Sequence, residues 1–133
     1  MAKDLIIRSS SAEFLIFERQ THDNGIEVRY ENYTLWMTQK AIAELFDVQR
    51  PSITKHLINI FKENELDKDS VCSKMEHTAE DGKRYQTDYY NLGAIISAGY
   101  RVNSLRATQF RRYLTNVLKT FFIQGYVLDK EIM

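Results

Sequence analysis

The residues from Gln49 to Lys62, QRPSITKHLINIFK, bring guanidinium, ammonium, amide and hydroxyl groups together within about four helical turns. Groups of these types bind phosphate oxygens and read base edges in the major groove of DNA. The stretch holds three cations, Arg50, Lys55 and Lys62, and no acid; a merely solvated helix face would more often mix in glutamates. With Ile53, Leu57 and Ile60 turned inward, a rotation of about 100° per residue sends Ser52, Lys55, Asn59 and Lys62 outward. Gln49 and Arg50 project from the turn at the start of that helix. Thr54, together with Thr38 and Gln39 just upstream, completes the candidate set. The chemistry of an enzyme is harder to assemble. His22, His56 and His77 are scattered, and there is no H-E-x-x-H, paired-cysteine spacing or glycine-rich phosphate loop. Cys72 and His77 could form a thiol–base pair, although chance proximity on a strand is the better reading. The expectation is therefore no catalytic residue, no metal and no cofactor.

Two short helices must position these groups. Thr38 precedes an apolar-periodic run, where its hydroxyl can accept from an unpaired N–H of the first turn. Ile42, Leu45 and Phe46 then share one face. The pattern breaks at Asp47-Val48-Gln49-Arg50, and Pro51 restarts it, proline being welcome at a first helical position. Counted from Gln39, the residues Ile42, Ala43, Phe46, Val48 and Ile53 occupy the fourth, fifth, eighth, tenth and fifteenth places of a helix-turn-helix unit. Ala43 is small where the second helix crosses above it. Two places depart. Asp47 stands where glycine is common, which its tolerance of the left-handed region allows. His56 takes a usually apolar place, with Leu57 beside it as the substitute. An ordinary αα-hairpin remains the bland alternative.

The chain has 133 residues, 44% of them hydrophobic, with 18 basic and 18 acidic side chains. That is the composition of one soluble domain with a core of its own. One cysteine excludes an internal disulfide and fits a reducing compartment; with no signal-like or membrane-length apolar run, a cytoplasmic location is expected. The neutral total hides an uneven layout. Residues 89–128 carry Arg101, Arg106, Arg111, Arg112 and Lys119 and no acid, compatible with a local phosphate-binding surface.

In chain order, residues 1–12 read as a flexible tail, 13–128 as the domain, and 129–133 as the start of a linker to a further part. Phe14–Phe17 and Ile26–Tyr30 flank Asn24-Gly25, a hairpin signal. Thr34–Met37 is a third extended piece, with Trp36 a core anchor rather than a stacking platform. Residues 63–69 form a charged connection. Val71–Thr78 and Lys83–Tyr90 read as a second hairpin around Glu80-Asp81-Gly82, placed like a wing, with Lys83 and Arg84 near its tip. Tyr85, Tyr89 and Tyr90 suit a packed sheet face. Asn91–Tyr100 reads as a buried helix, and a last helix should run from near Ser104 to a stop at Gly125. Its inward stripe is Ala107, Phe110, Leu114, Val117, Leu118 and Phe121. Arg106, Arg111 and Arg112 are its candidate phosphate contacts. The fold class expected is α+β: a winged-helix-like helix-turn-helix with short β-hairpins and a long C-terminal helix.

The order of a leading hairpin, LWMTQKAIAELFDVQRPSITKHLINIFKENELD and YYNLGAIISAGYRVNSLRATQFRRYLTNVLKTFFIQGY resembles the N-terminal part of the virulence-associated RhuM family of bacterial proteins from Phe14 onward. More distantly it is similar to the phage antirepressor and Bro-type N-terminal DNA-binding domain, through Ala107, Phe110-Arg111-Arg112, Val117-Leu118 and Gly125. Tyr113 replaces a tryptophan of that pattern and Lys119 a proline, so no kink is expected. The resemblance implies a DNA-binding regulatory domain attached to a variable C-terminal part. Double-stranded DNA is the expected partner, with a homodimer also considered. The competing reading is an antirepressor-like module that docks a repressor or another protein.

Overall fold

The computed structural model describes residues 26–132, with side chains described as far as Lys119 except Leu118. The first arm of the hairpin expected around Asn24-Gly25 and the tail over 1–12 lie outside the described residues. The first observed hairpin is instead built by β1 (Arg29–Glu31) and β2 (Thr34–Thr38), paired antiparallel with Tyr30 opposite Leu35. Its turn is Asn32-Tyr33, both at positive φ (53° and 63°). That geometry is the two-residue turn whose twist suits a hairpin. Asn32 was the available signal, and the bulky Tyr33 beside it hid the turn.

Two helices follow β2. The first, α1 (Gln39–Phe46), starts where Thr38 accepts the Ala41 N–H through its hydroxyl, at 3.1 Å. It ends at Asp47, in the left-handed region at φ 55° and ψ 50°. The Val48 N–H then reaches back to the Ala43 carbonyl at 3.0 Å, closing the helix end. The second, α2 (Arg50–Lys62), opens with Pro51 in its first turn. Just past its end Asn64 is again left-handed, at φ 57°, with the Glu65 N–H on the Ile60 carbonyl at 3.0 Å. A short helix, α3 (Lys68–Val71), occupies part of the charged connection.

The second hairpin is β3 (Cys72–Thr78) and β4 (Arg84–Asn91), turning through Gly82 at φ 82°. The expected arms are found to within a residue. β4 also pairs with β2, so the antiparallel sheet has the order β1-β2-β4-β3. Helix α4 (Leu92–Arg101) is capped by Asn91, whose side chain accepts the Ala94 N–H. Helix α5 (Leu105–Ile132) completes the described chain. The stop expected at Gly125 is absent. A single interior glycine costs a helix only about 1 kcal/mol, and the backbone continues through it to Ile132. Among the described residues the protein is thus a mixed α/β assembly of five helices and one four-stranded sheet.

Its core lies between one sheet face and the helices. Leu35, Met37, Ile42, Leu45, Phe46, Ile53, Leu57, Ile60, Ile95, Ala98 and Phe110 are at most 1% exposed. Each such large aliphatic side chain contributes roughly 1.5–3 kcal/mol by leaving water. Ala43 is buried and Val48 packs on the cluster, as the two-helix spacing required. Leu57 fills the place His56 leaves. Trp36 is buried on the opposite sheet face, its indole N–H donating to the Glu31 carbonyl at 3.0 Å; it is an anchor, as expected. No described helix is long and apolar enough to cross a membrane.

Candidate nucleic-acid interface

The orientation of α2 is set by a polar relay from the sheet. Gln39, the first residue of α1, donates through Nε2 to Tyr90 Oη at 3.1 Å. Its Oε1 accepts from Thr54 Oγ1 of α2 at 2.5 Å. One glutamine therefore fixes β4, α1 and α2 relative to one another. This reassigns three candidates. Thr38 caps α1, while Gln39 and Thr54 bond each other; the hydroxyls of both threonines and the Gln39 amide hold the unit in place.

Below the unit, α4 and α5 act as a brace. Ser104 donates to the Phe46 carbonyl at 2.7 Å and accepts the Ala107 N–H at 3.0 Å, so one serine caps α5 and ties it to the end of α1. Phe46 and Phe110 meet edge-on with centroids 5.1 Å apart. Gly99 lets them in: a Cβ there would lie 2.7 Å from Phe110 Cδ2 and 2.9 Å from Phe46 Cζ. Arg101 pairs with Glu63 and, at 3.4 Å, with Glu65, fastening α4 to the loop after α2.

Arg111 also belongs to the brace. Its guanidinium donates to the carbonyls of Gly99 at 2.8 Å and Val102 at 3.0 Å, and to Thr108 Oγ1 at 3.0 Å. Expected on a DNA-facing surface, it instead satisfies the carbonyl end of α4. Arg112 and Lys119 are exposed, and Arg106 is half-buried and not without partners.

On α2 itself the remaining candidates separate by exposure. Gln49, Arg50, Lys55 and Lys62 are exposed, whereas Ser52 and Asn59 are half-buried. None of the three cations has a carboxylate partner among the described residues. Some other surface cations do, Arg29 with Glu31, Lys40 with Glu80 and Arg84 with Glu76, whereas Lys68, Lys74, Lys83, Arg112 and Lys119 do not. Sequence reasoning missed one member of this face. Ile58 is 58% exposed and, with Arg50, Pro51, Thr54, Lys55 and Asn59, lines a shallow depression of about 530 Å³. The signal was its position, off the 53–57–60 stripe.

At the hairpin tip, Lys83 is exposed and Arg84 is paired with Glu76 at 3.3 Å. The tip acids are both engaged. Glu80 lies 3.7 Å from Lys40 of α1. Asp81 accepts the Lys83 N–H at 2.9 Å and the Tyr85 hydroxyl at 2.8 Å, bonds that hold its carboxyl below the usual range. Between this hairpin and the start of α1 and α2 lies a polar groove of about 630 Å³, reached by Lys40, Arg50, Lys74, Glu80, Gln86 and Asp88.

Cys72 and His77 fall on opposite faces of β3, being an odd number of residues apart on one strand. The thiol–base pair that their spacing allowed does not form. His77 Nδ1 lies 3.1 Å from Tyr89 Oη and 3.4 Å from Glu27, and burial pushes the Cys72 thiol up. No three potential metal ligands cluster among the described residues.

The described chain is thus a mixed α/β domain in which a sheet and two later helices brace a helix pair with an exposed, acid-free face. Residues 70–133 match the model of the Virulence protein RhuM family. The matched segment holds the β3–β4 hairpin and the brace; the resemblance expected from Phe14 onward is found over this second half. No curated protein and no solved structure is similar enough to match.

Proposed function

We propose that the protein binds double-stranded DNA with sequence specificity, as a transcriptional regulator, by laying α2 in the major groove. One observation carries this reading: Arg50, Lys55 and Lys62 stand exposed, without carboxylate partners among the described residues, on one helix that carries no acidic residue. Cations without a carboxylate partner gain most from displacing the counterions of a duplex. The strand order supports it. A helix pair between β2 and β3, with β4 returning beside β2, is the arrangement in which α1–α2 acts as a helix-turn-helix and β3–β4 as its wing. Because Arg84 is paired with Glu76 while Lys83 is exposed and has no ion pair among the described residues, Lys83 is the wing residue offered to phosphate.

The test is a duplex titration at several salt concentrations. Arg50→Ala and Lys55→Ala should each weaken binding and lower the logarithmic salt slope by about 0.9. No affinity for any duplex at low salt would overturn the reading. A second reading, an antirepressor-like module that docks a repressor or partner subunit, is favoured by one observation: apolar Ile58 is exposed on the same helix and lines its shallow depression.

A further inference from the structure

Ile58 needs its own account, because an exposed branched aliphatic side chain is a poor element for phosphate binding. It sits one helical turn beyond Thr54 and two beyond Arg50, so the three form a ladder along the outward face of α2. The Thr54 hydroxyl is committed to Gln39 Oε1 and lies 3.3 Å from the Arg50 carbonyl. What Thr54 has left to offer is its methyl group. Pro51 lines the same depression, so an apolar strip runs along the helix between the cations.

The major groove has one apolar feature that a protein can meet, the C5-methyl group of thymine. Asn59 borders the strip, and an asparagine amide pairs with the N6 and N7 of adenine, the base opposite thymine. Resting on the DNA-binding reading above, we infer that Ile58 and the Thr54 methyl determine specificity by packing on thymine methyl groups, so that the target carries A·T pairs where α2 enters the groove. Gln49 and Arg50, at the start of the helix, remain free for other bases or for phosphates.

The test uses the intact chain and a duplex selected from a random pool. Replacing thymine by deoxyuridine removes only the methyl group. Each replacement within the contacted A·T pairs should weaken wild-type binding about fourfold, the effect of one buried methyl-sized group. In Ile58→Ala the same replacement should have little effect, and Thr54→Ser, which keeps the hydroxyl bond to Gln39, should lose part of the discrimination. Both positions accept these changes without cost to the core, and a thermal melt confirms the fold. Duplex binding that is indifferent to deoxyuridine, or equal discrimination in Ile58→Ala, overturns this inference and leaves the DNA-binding reading standing. Absence of duplex binding overturns both and assigns Ile58 to a protein partner.

Discussion

Single residues in this domain divide between those that hold α2 in place and those it presents. Arg111 illustrates the first kind. Losing its bonds to the Gly99 and Val102 carbonyls should cost about 1–3 kcal/mol, so Arg111→Ala should lower the melting temperature while leaving duplex affinity intact well below the melt. An equal loss of affinity would restore it to the DNA-facing set. Asp47 makes a similar point about the backbone. Its left-handed conformation costs a non-glycine residue roughly 1–2 kcal/mol, more for β-branched residues; Asp47→Val should therefore destabilise in chemical denaturation, and Asp47→Gly should not. His56 adds a pH dependence. Burial, then Arg101 and Lys55, lower its pKa, so the folded state favours the neutral ring. The unfolded chain then binds the proton more readily, and stability should fall as the pH drops through about 6.5. His56→Gln should flatten that part of the stability curve; an unchanged profile would contradict the assignment.

Elements were legible where a local rule decided them. Thr38 before a 42–45–46 stripe, Pro51 at a helix start and Gly82 in a tight turn each fix a boundary by sterics or by an unpaired N–H, and each stands where it was expected. The turn at Asn32-Tyr33 and the continuation of α5 through Gly125 were not legible. In the first, strand pairing imposes positive φ on a tyrosine; in the second, one weak helix former does not outweigh its neighbours. Partners of side chains were the least legible layer. Nothing in the spacing says that Gln39 joins Tyr90 to Thr54 or that Arg111 turns back on α4, because these depend on contacts 12 to 51 residues apart. At this scale the close crossing of α4 and α5 is the sharpest constraint. Gly99→Ala would force Phe110 or Phe46 aside and should destabilise by about 1–3 kcal/mol, read in a urea titration; an unchanged midpoint would show that the rings have room to move.

For the whole molecule, the sheet, α4 and α5 act on α2 at three points. Gln39 links it to β4, Arg101 holds the loop after it, and Ser104 fastens the end of α1 that precedes its turn. Net charge is zero, so any affinity for a polyanion must come from local arrangement, which here means the acid-free face of one helix. The most direct measurement is the salt dependence of binding to a selected duplex, for the wild type and for a variant with Arg50, Lys55 and Lys62 all replaced by Ala. The account predicts salt-sensitive wild-type binding and a slope smaller by about 2.7 in the triple variant. No binding at low salt, or the same slope in both proteins, would contradict it.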